Sequence, residues 1–261
     1  MRLKDKVAII TGGGTGIGKA ISHAFAEEGA AVVVTARTYS NLDEVVKEVK
    51  VKGGRATAIQ ADISDEKQVQ HMVSQTLREY GQIDILVNNG GIPGPTANVV
   101  DMDLSKWNEV IAINLTGTML CSREVLKSMI ARKNGNIINL SSEGGRSGFP
   151  MRSPYCVSKM GAIGFTETLA IETGEYNIRV NCISPAIVRG ERVINLSKAK
   201  AKSLGISYEE ILNRLPRNFS LKRMVEPSEV AAAAVFLASD EASAITGHTL
   251  VVSCGMHMMH Y

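Results

Sequence analysis

Short apolar runs alternate along the chain with longer amphipathic stretches. The runs are Val7–Ile10, Ala30–Val34, Ala56–Ile59, Ile83–Val87, Ile137–Leu140, Val180–Ile183 and Thr249–Val252. Several are apolar at consecutive positions and rich in Val and Ile, which suits strands buried on both faces, as in a parallel sheet. Between them the spacing predicts helices over 17–28, 41–52, 65–80, 103–133, 153–175 and 226–238. In the fourth, Trp107, Ile111, Leu115 and Leu120 fall near one face, so Trp107 is expected in the core. This alternation predicts an α/β fold, a doubly wound parallel sheet of about seven strands with right-handed crossovers. No internal repeat and no Pro/Gly/Ser-rich linker divides the sequence, so residues 1–261 are expected to form a single domain. The rhythm breaks only near 186–225, a long, polar, basic segment.

Composition narrows the class. Of 261 residues, 44% are hydrophobic and 21% charged, which fits a globular protein and excludes disorder and low-complexity arrays. The net charge of +3 gives no reason to expect nucleic-acid binding. The longest apolar run, Val230 to Ala238, is nine residues and too short to span a bilayer, and the start carries no signal-peptide core. Cys121, Cys156, Cys182 and Cys254 are never closer than 26 residues, so zinc-type spacing is absent and reduced, buried thiols in a cytoplasmic protein are expected. His23, His71, His248, His257 and His260 are scattered; surface or tail positions and no metal site are expected.

The first strand runs directly into Thr11-Gly12-Gly13-Gly14-Thr15-Gly16-Ile17-Gly18, and a helix follows. Glycines there permit a tight turn and let a pyrophosphate approach bare N–H groups at a helix N-terminus. The spacing is Gly-x-x-x-Gly-x-Gly, and at this point the sequence resembles the short-chain dehydrogenase/reductase family, whose loop reads TGxxxGxG. Thr11, Gly12, Gly16 and Gly18 match it. Asn88-Asn89-Gly90-Gly91 resembles the family's NNAG with Gly90 in place of Ala; Asp62 matches its adenine-contacting Asp; Asn114, Ser142, Tyr155-x-x-x-Lys159 and Pro185 follow in order. The resemblance runs from residue 5 to about residue 255, and it implies a Rossmann-type sheet, a single NAD(P)-binding catalytic domain over 1–261 and a helical lid over the substrate near 186–225.

The resemblance implies a catalytic tetrad of Asn114, Ser142, Tyr155 and Lys159. Ser142 is chosen over Ser141 because it lies thirteen residues before Tyr155. Tyr155 and Lys159 are four apart and share a helix face. A free tyrosine titrates near pH ~10, and a neighbouring ammonium favours its phenolate. The expected roles are Tyr155 as general acid/base, Ser142 as hydrogen-bond partner of the substrate oxygen, Lys159 as electrostatic and ribose partner, and Asn114 as the end of a proton relay. The implied cofactor set is Gly12, Thr15, Gly16, Ile17, Gly18, Arg37, Thr38, Asp62, Ile63, Asn89, Gly90, Tyr155, Lys159, Pro185 and Val188. NADP(H) is expected over NAD(H): Ala36 stands where NAD enzymes of the family usually carry Asp, and Arg37 follows it, able to pair with a 2′-phosphate. Thr15 leaves the loop without the second basic residue of many NADP-preferring relatives, which keeps NAD(H) as the alternative.

Three positions depart from the family. Ala186 stands for a Gly after Pro185, Gly190 for a nicotinamide-contacting Thr, and Ser253-Cys254-Gly255 for Asp-Gly-Gly. With Thr lost, the carboxamide falls to backbone around Val188. Segment 189–223 holds nine basic residues against three acidic ones, +6, which leaves −3 for the rest. A basic lid would attract an anionic or carrier-bound substrate; equally, it is a solvated amphipathic helix with Leu196, Ala199, Leu204, Ile211 and Leu215 inside. Met256, Met258, Met259 and Tyr261 form a soft apolar tail. The group most resembled is the 3-oxoacyl-[acyl-carrier-protein] reductases. The expected activity is therefore interconversion of a ketone or β-keto substrate and a secondary alcohol, with a sugar, polyol or hydroxysteroid dehydrogenase as the alternative and a non-catalytic NADP(H) sensor as the reading from another class. A homotetramer, paired through helices 103–133 and 153–175, is implied by the resemblance.

Overall fold

The computed structural model describes residues 1–214, 216–217 and 219–256. Seven strands form one parallel sheet: β1 Val7–Thr11, β2 Ala31–Ala36, β3 Arg55–Gln60, β4 Ile85–Asn88, β5 Gly135–Leu140, β6 Ile178–Pro185 and β7 Thr249–Val252, in the spatial order β3-β2-β1-β4-β5-β6-β7. Every one of the predicted strands is present, with no end moved by more than two residues.

The continuous apolar runs have a physical explanation in two cores. Along β1, Ala8 and Ile10 face one layer while Ile9 faces the other; Val32 and Val34 against Val33, and Ile85 and Val87 against Leu86, repeat the split. The first layer is built from α1 Gly16–Glu27, α2 Tyr39–Val51 and α9 Pro227–Ala238, which supply Ile21, Phe25, Val45 and Val230 among others. The second comes from α3 Glu66–Tyr80, α5 Gly117–Arg132 and α6 Ser153–Thr173, with Met72, Val125, Met129 and Leu169. Each such side chain, fully buried, contributes about 1.5–3 kcal/mol. Polar residues on α6, such as Thr166 and Thr173, are tolerated because their hydroxyls donate to carbonyls one turn back.

The long helix predicted over 103–133 is not continuous. It consists of α4 Leu104–Ile111, a π-helical turn Ala112–Thr116, and α5. Trp107 is half-buried and joins neither core, which corrects its expected place. His23 is half-buried: it lies between α1 and α2 with Nε2 2.8 Å from Glu48. The cysteines Cys121 and Cys182 are buried, and burial pushes their thiols up to about 12 and about 11, so both stay protonated.

The segment expected as a lid folds into α7 Glu191–Leu204 and α8 Tyr208–Arg214. Its buried side includes Ser197, Ala201 and Ile211, whereas Leu204 is exposed. The side chains of Leu196 and Ala199, all of Leu215, and His257–Tyr261, including Met258, Met259, His260 and Tyr261, lie outside what is described. Met256 bridges to Phe219, and the turn around Gly255 lies against Ser220, where Ser220 and Leu221 donate N–H groups to Gly255 and Cys254 at 3.1 and 3.0 Å. Among the described residues no helix is long and apolar enough to cross a membrane.

Candidate active site

The strand order reverses direction between β1 and β4, and the crevice at such a reversal, beyond the carboxyl ends of the strands, is where an open α/β sheet takes a ligand. A cleft of about 230 Å³ opens there. Of the expected cofactor residues, Gly12, Thr15, Arg37, Thr38, Asp62, Ile63 and Gly90 line it, joined by Gly14, Asn41, Gly91, Ile92 and Ile113, which sequence reasoning did not single out as cleft-lining.

Its floor is shaped by close backbone approach. Gly12 takes φ +63°, and a Cβ there would meet Asn89 Nδ2 at 2.9 Å. A Cβ at Gly18 would collide with the Gly12 carbonyl, so α1 can start this near the loop only with glycine at that position. Gly16, at φ +52°, borders open space. Thr15 caps α1 without a side-chain hydrogen bond, leaving the first-turn N–H groups available to an anion. These features fit a dinucleotide: bare amides where the pyrophosphate would lie, and Arg37, Thr38 and Asn41 at the end where a ribose or its 2′-phosphate would lie.

Asn89 and Ile17 work from behind the cleft. Asn89 Nδ2 donates to the carbonyls of Thr11 and Gly12 at 2.9 and 3.2 Å, and the Thr11 hydroxyl accepts from the Asn89 and Gly90 amides at 3.0 and 2.9 Å. The β1 and β4 loops are thus tied into one unit. Ile17 packs against the first core. Asp62 organises its own turn, accepting from the Ser64 amide at 2.9 Å and hydroxyl at 2.6 Å.

The expected tetrad lies at the carboxyl ends of β4 and β5. Lys159 is buried, 7% exposed, and its Nζ donates to the Leu140 carbonyl at 2.7 Å. Asn114 sits in the π-helical turn. Its Nδ2 donates to the Ile92 carbonyl at 3.0 Å and Ser158 Oγ at 3.1 Å, and its Oδ1 accepts from the Ile92 amide at 2.8 Å. Such a turn adds a residue to the helical repeat and re-aims a side chain; here it brings Asn114 to Gly91, whose missing side chain leaves room beside Asn114 Oδ1 and Lys159 Nζ. Ser142 starts the short 3-10 turn Glu143–Gly145 and accepts from the Gly144 amide at 3.2 Å. That turn packs closely on α6: a Cβ at Gly145 would stand 2.6 Å from the Lys159 carbonyl, and one at Gly144 3.1 Å from the Tyr155 ring. The neighbouring Ser141 donates to the Lys159 carbonyl at 2.7 Å and so ties β5 to α6.

A buried relay of amides and hydroxyls backs the site. Asn88 Nδ2 donates to Ser122 Oγ at 3.0 Å and Asn139 Oδ1 at 2.9 Å, and Asn139 Nδ2 donates to Thr166 Oγ1 at 2.8 Å. It joins β4 and β5 to α5 and α6, the helices around the tetrad.

Pro185 ends β6 and Val188 forms a parallel bridge with Val225; neither is among the residues that line the cleft. Ala186 donates to Val252 at 3.0 Å and is not among the residues with positive φ, so alanine is accepted there without strain. Gly190 is extended, φ 163°, with nothing near its Cβ position, so no conformational need explains glycine there. Cys254, in the place of a family glycine, keeps φ +51°. Among the described residues no group of three or more His, Cys, Asp or Glu could hold a metal ion.

A family model described as enoyl-(acyl carrier protein) reductase matches residues 12–257. The 3-oxoacyl-[acyl-carrier-protein] reductase FabG of Thermotoga maritima is 39% identical over 98% of this chain and 99% of its own. Among solved structures, NAD+-bound xylitol dehydrogenase superposes with a TM-score of 0.91 at 30% identity, over 97% of this chain and 99% of that one. A variant of actinorhodin polyketide ketoreductase with NADPH gives 0.92 at 32% identity, over 96% and 97%. Identity of this level across nearly the whole of both chains, on the sheet and glycine loop described above, decides the matter: the chain belongs to the short-chain dehydrogenase/reductase family of oxidoreductases, which bind nicotinamide cofactors.

Proposed function

We propose that the protein is an NADP(H)-dependent oxidoreductase that interconverts a ketone or β-keto compound and a secondary alcohol, with Tyr155 as general acid/base. The observation that carries this reading is the buried Lys159, one helical turn from Tyr155 and against Gly91 at the rim of the cleft. A bound nicotinamide would supply or accept the hydride. In reduction, Tyr155 gives its proton to the carbonyl oxygen. Ser142 donates a hydrogen bond to the same oxygen and shares the charge that develops on it. The Lys159 ammonium favours the tyrosinate left behind. Asn114 keeps the 91–92 loop against Lys159 and ends the relay by which the proton is replaced. Oxidation runs through the same groups, with Tyr155 as base.

The cofactor preference rests on Arg37 and Thr38 in the cleft and on the absence of an acid at Ala36. The resemblance to 3-oxoacyl-[acyl-carrier-protein] reductase favours a β-ketoacyl thioester. The likeness to xylitol dehydrogenase keeps a polyol as the second reading. A homotetramer is part of the proposal; apolar side chains left exposed on α4 and α6, Leu104, Met160 and Ile171, support it. The test is a carbonyl and alcohol panel run with NADPH, NADH, NADP+ and NAD+ on wild type and Tyr155→Phe. Turnover by the wild type that Tyr155→Phe abolishes, with cofactor affinity retained, is expected. Retained turnover would remove Tyr155 as the acid, and cofactor binding without turnover of anything would favour a sensor.

A further inference from the structure

Arg152 carries a charge that this chemistry leaves unused. It precedes α6 by one residue and Tyr155 by three, and its guanidinium carbon stands 5.5 Å from the centroid of the Tyr155 ring. Its Nη2 donates to the Pro93 carbonyl at 2.6 Å and its Nη1 to Thr96 Oγ1 at 3.1 Å. The adjacent Met151, held in the left-handed region at φ 63°, accepts from the Ala97 amide at 3.0 Å. The segment fastened in this way continues directly from the cleft-lining Gly91 and Ile92, and Ile92 is gripped at both its amide and its carbonyl by Asn114. At its middle, a Cβ at Gly94 would stand 2.5 Å from Val110 Cγ2, so a side chain there would force a shift. The 92–97 wall is therefore secured at one end to Asn114 and at the other to the residue that covers the Tyr155 ring.

We propose that Arg152 is a positioning residue: it locks the 92–97 wall and the Tyr155 ring into one unit. The inference rests on the reading of Tyr155 as the acid/base. A cation near an aromatic face is attracted to the electrons of the ring, and more so when the ring carries negative charge. The forked guanidinium holds a carbonyl and a hydroxyl at once, which lysine cannot reproduce. Other charged groups on the elements packed around Tyr155 are Lys159 on its own helix, Glu143 and Arg146 on the 3-10 turn, which pair at 3.2 Å, and Lys106 and Glu109 on α4, which pair at 3.0 Å. Arg152 stands over the face of the ring.

The experiment compares Arg152→Gln, Arg152→Lys and Tyr155→Phe in the whole protein. Near-ultraviolet circular dichroism, with Tyr155→Phe as the blank, reads the packing of the Tyr155 ring without turnover. Arg152→Gln is expected to lose most of the Tyr155 contribution and Arg152→Lys less of it. Both should raise KM roughly tenfold, because neither restores the fork, with a smaller change in kcat. If Arg152→Gln folds poorly, the KM of Arg152→Lys still decides the wall. A wild-type Tyr155 signal and wild-type KM in the variants would overturn the inference while Tyr155→Phe remains inactive; an active Tyr155→Phe would instead bring down the reading on which it rests. A loss of kcat alone, with the Tyr155 signal and KM unmoved, would mark Arg152 as merely structural and overturn it too.

Discussion

Gly145→Ala places one methyl group between the turn that carries Ser142 and the helix that carries Tyr155 and Lys159. Gly145 has no positive φ, so the substitution brings no backbone strain and its effect is steric alone. The added Cβ would stand 2.6 Å from both the carbonyl carbon and oxygen of Lys159, where ordinary contact begins near 3.4 Å. It also meets Ser141 Oγ, which cannot turn away without giving up its 2.7 Å bond to Lys159. Backbone must therefore retreat by roughly 1 Å, and overpacking of this kind costs about 1–3 kcal/mol. In a domain of this size that lowers Tm by about 2–4 °C per kcal/mol. A displacement of that order at reacting groups costs roughly 100-fold in rate, so kcat/KM should fall by about that factor. Cofactor affinity should change little, because the glycine loop stands on β1. Gly148→Ala is the control, since a Cβ there meets nothing within 4 Å. Melting curves and steady-state kinetics on both variants check the argument. If Gly145→Ala behaves like Gly148→Ala, the turn does not set the spacing of Ser142 and Tyr155.

Arg37→Asp should reverse the preference from NADPH toward NADH in kcat/KM measured with each, and an unchanged ratio would take Arg37 out of the 2′-phosphate site. Cys254→Gly should stabilise by about 0.5–1 kcal/mol, because a side chain at φ +51° is relieved and part of the gain is returned as glycine's greater freedom when unfolded; a lower Tm would show that the thiol packing outweighs the backbone. The Arg223 guanidinium, with bonds of 2.8 and 2.7 Å, holds the Glu229 carboxyl down at about 2. Its stabilisation of the start of α9 is present above the ordinary Glu range and is lost as pH falls through about 2. Protection of the amides at the start of α9, taken relative to intrinsic exchange at each pH, should fall over that acid interval in wild type and show no such step in Glu229→Gln.

What the sequence could tell depended on whether a feature is local. The sheet was legible because strands buried on both faces must be apolar at every position, and Val32-Val33-Val34 announces this without any knowledge of the fold. The glycine loop and Tyr155-x-x-x-Lys159 were legible because their spacing along the chain is their geometry. The π-helical turn at Ala112–Thr116 was not: Ala-Ile-Asn-Leu-Thr is ordinary helical sequence, and the widened turn is held by Asn114 reaching Ile92 and Ser158 from other parts of the chain. Trp107 fits a helical stripe that this break cuts short. Asn41 lines the cleft because α2 begins immediately after Arg37 and Thr38, a boundary the polar stretch around it conceals. Arg152 and Gly145 act through contacts across the fold, and nothing beside them in sequence marks those contacts.

The strand order has a consequence for how the molecule is made. After β1, each strand is laid on an edge already present: β2 and β3 extend one side, then β4, β5, β6 and β7 the other. No strand has to wedge itself between two that have already paired. A chain emerging from the ribosome can thus grow its sheet outward in step with synthesis. In that order the half that carries the glycine loop can form first, and the helix bearing Tyr155 and Lys159 can dock onto a sheet edge already five strands wide.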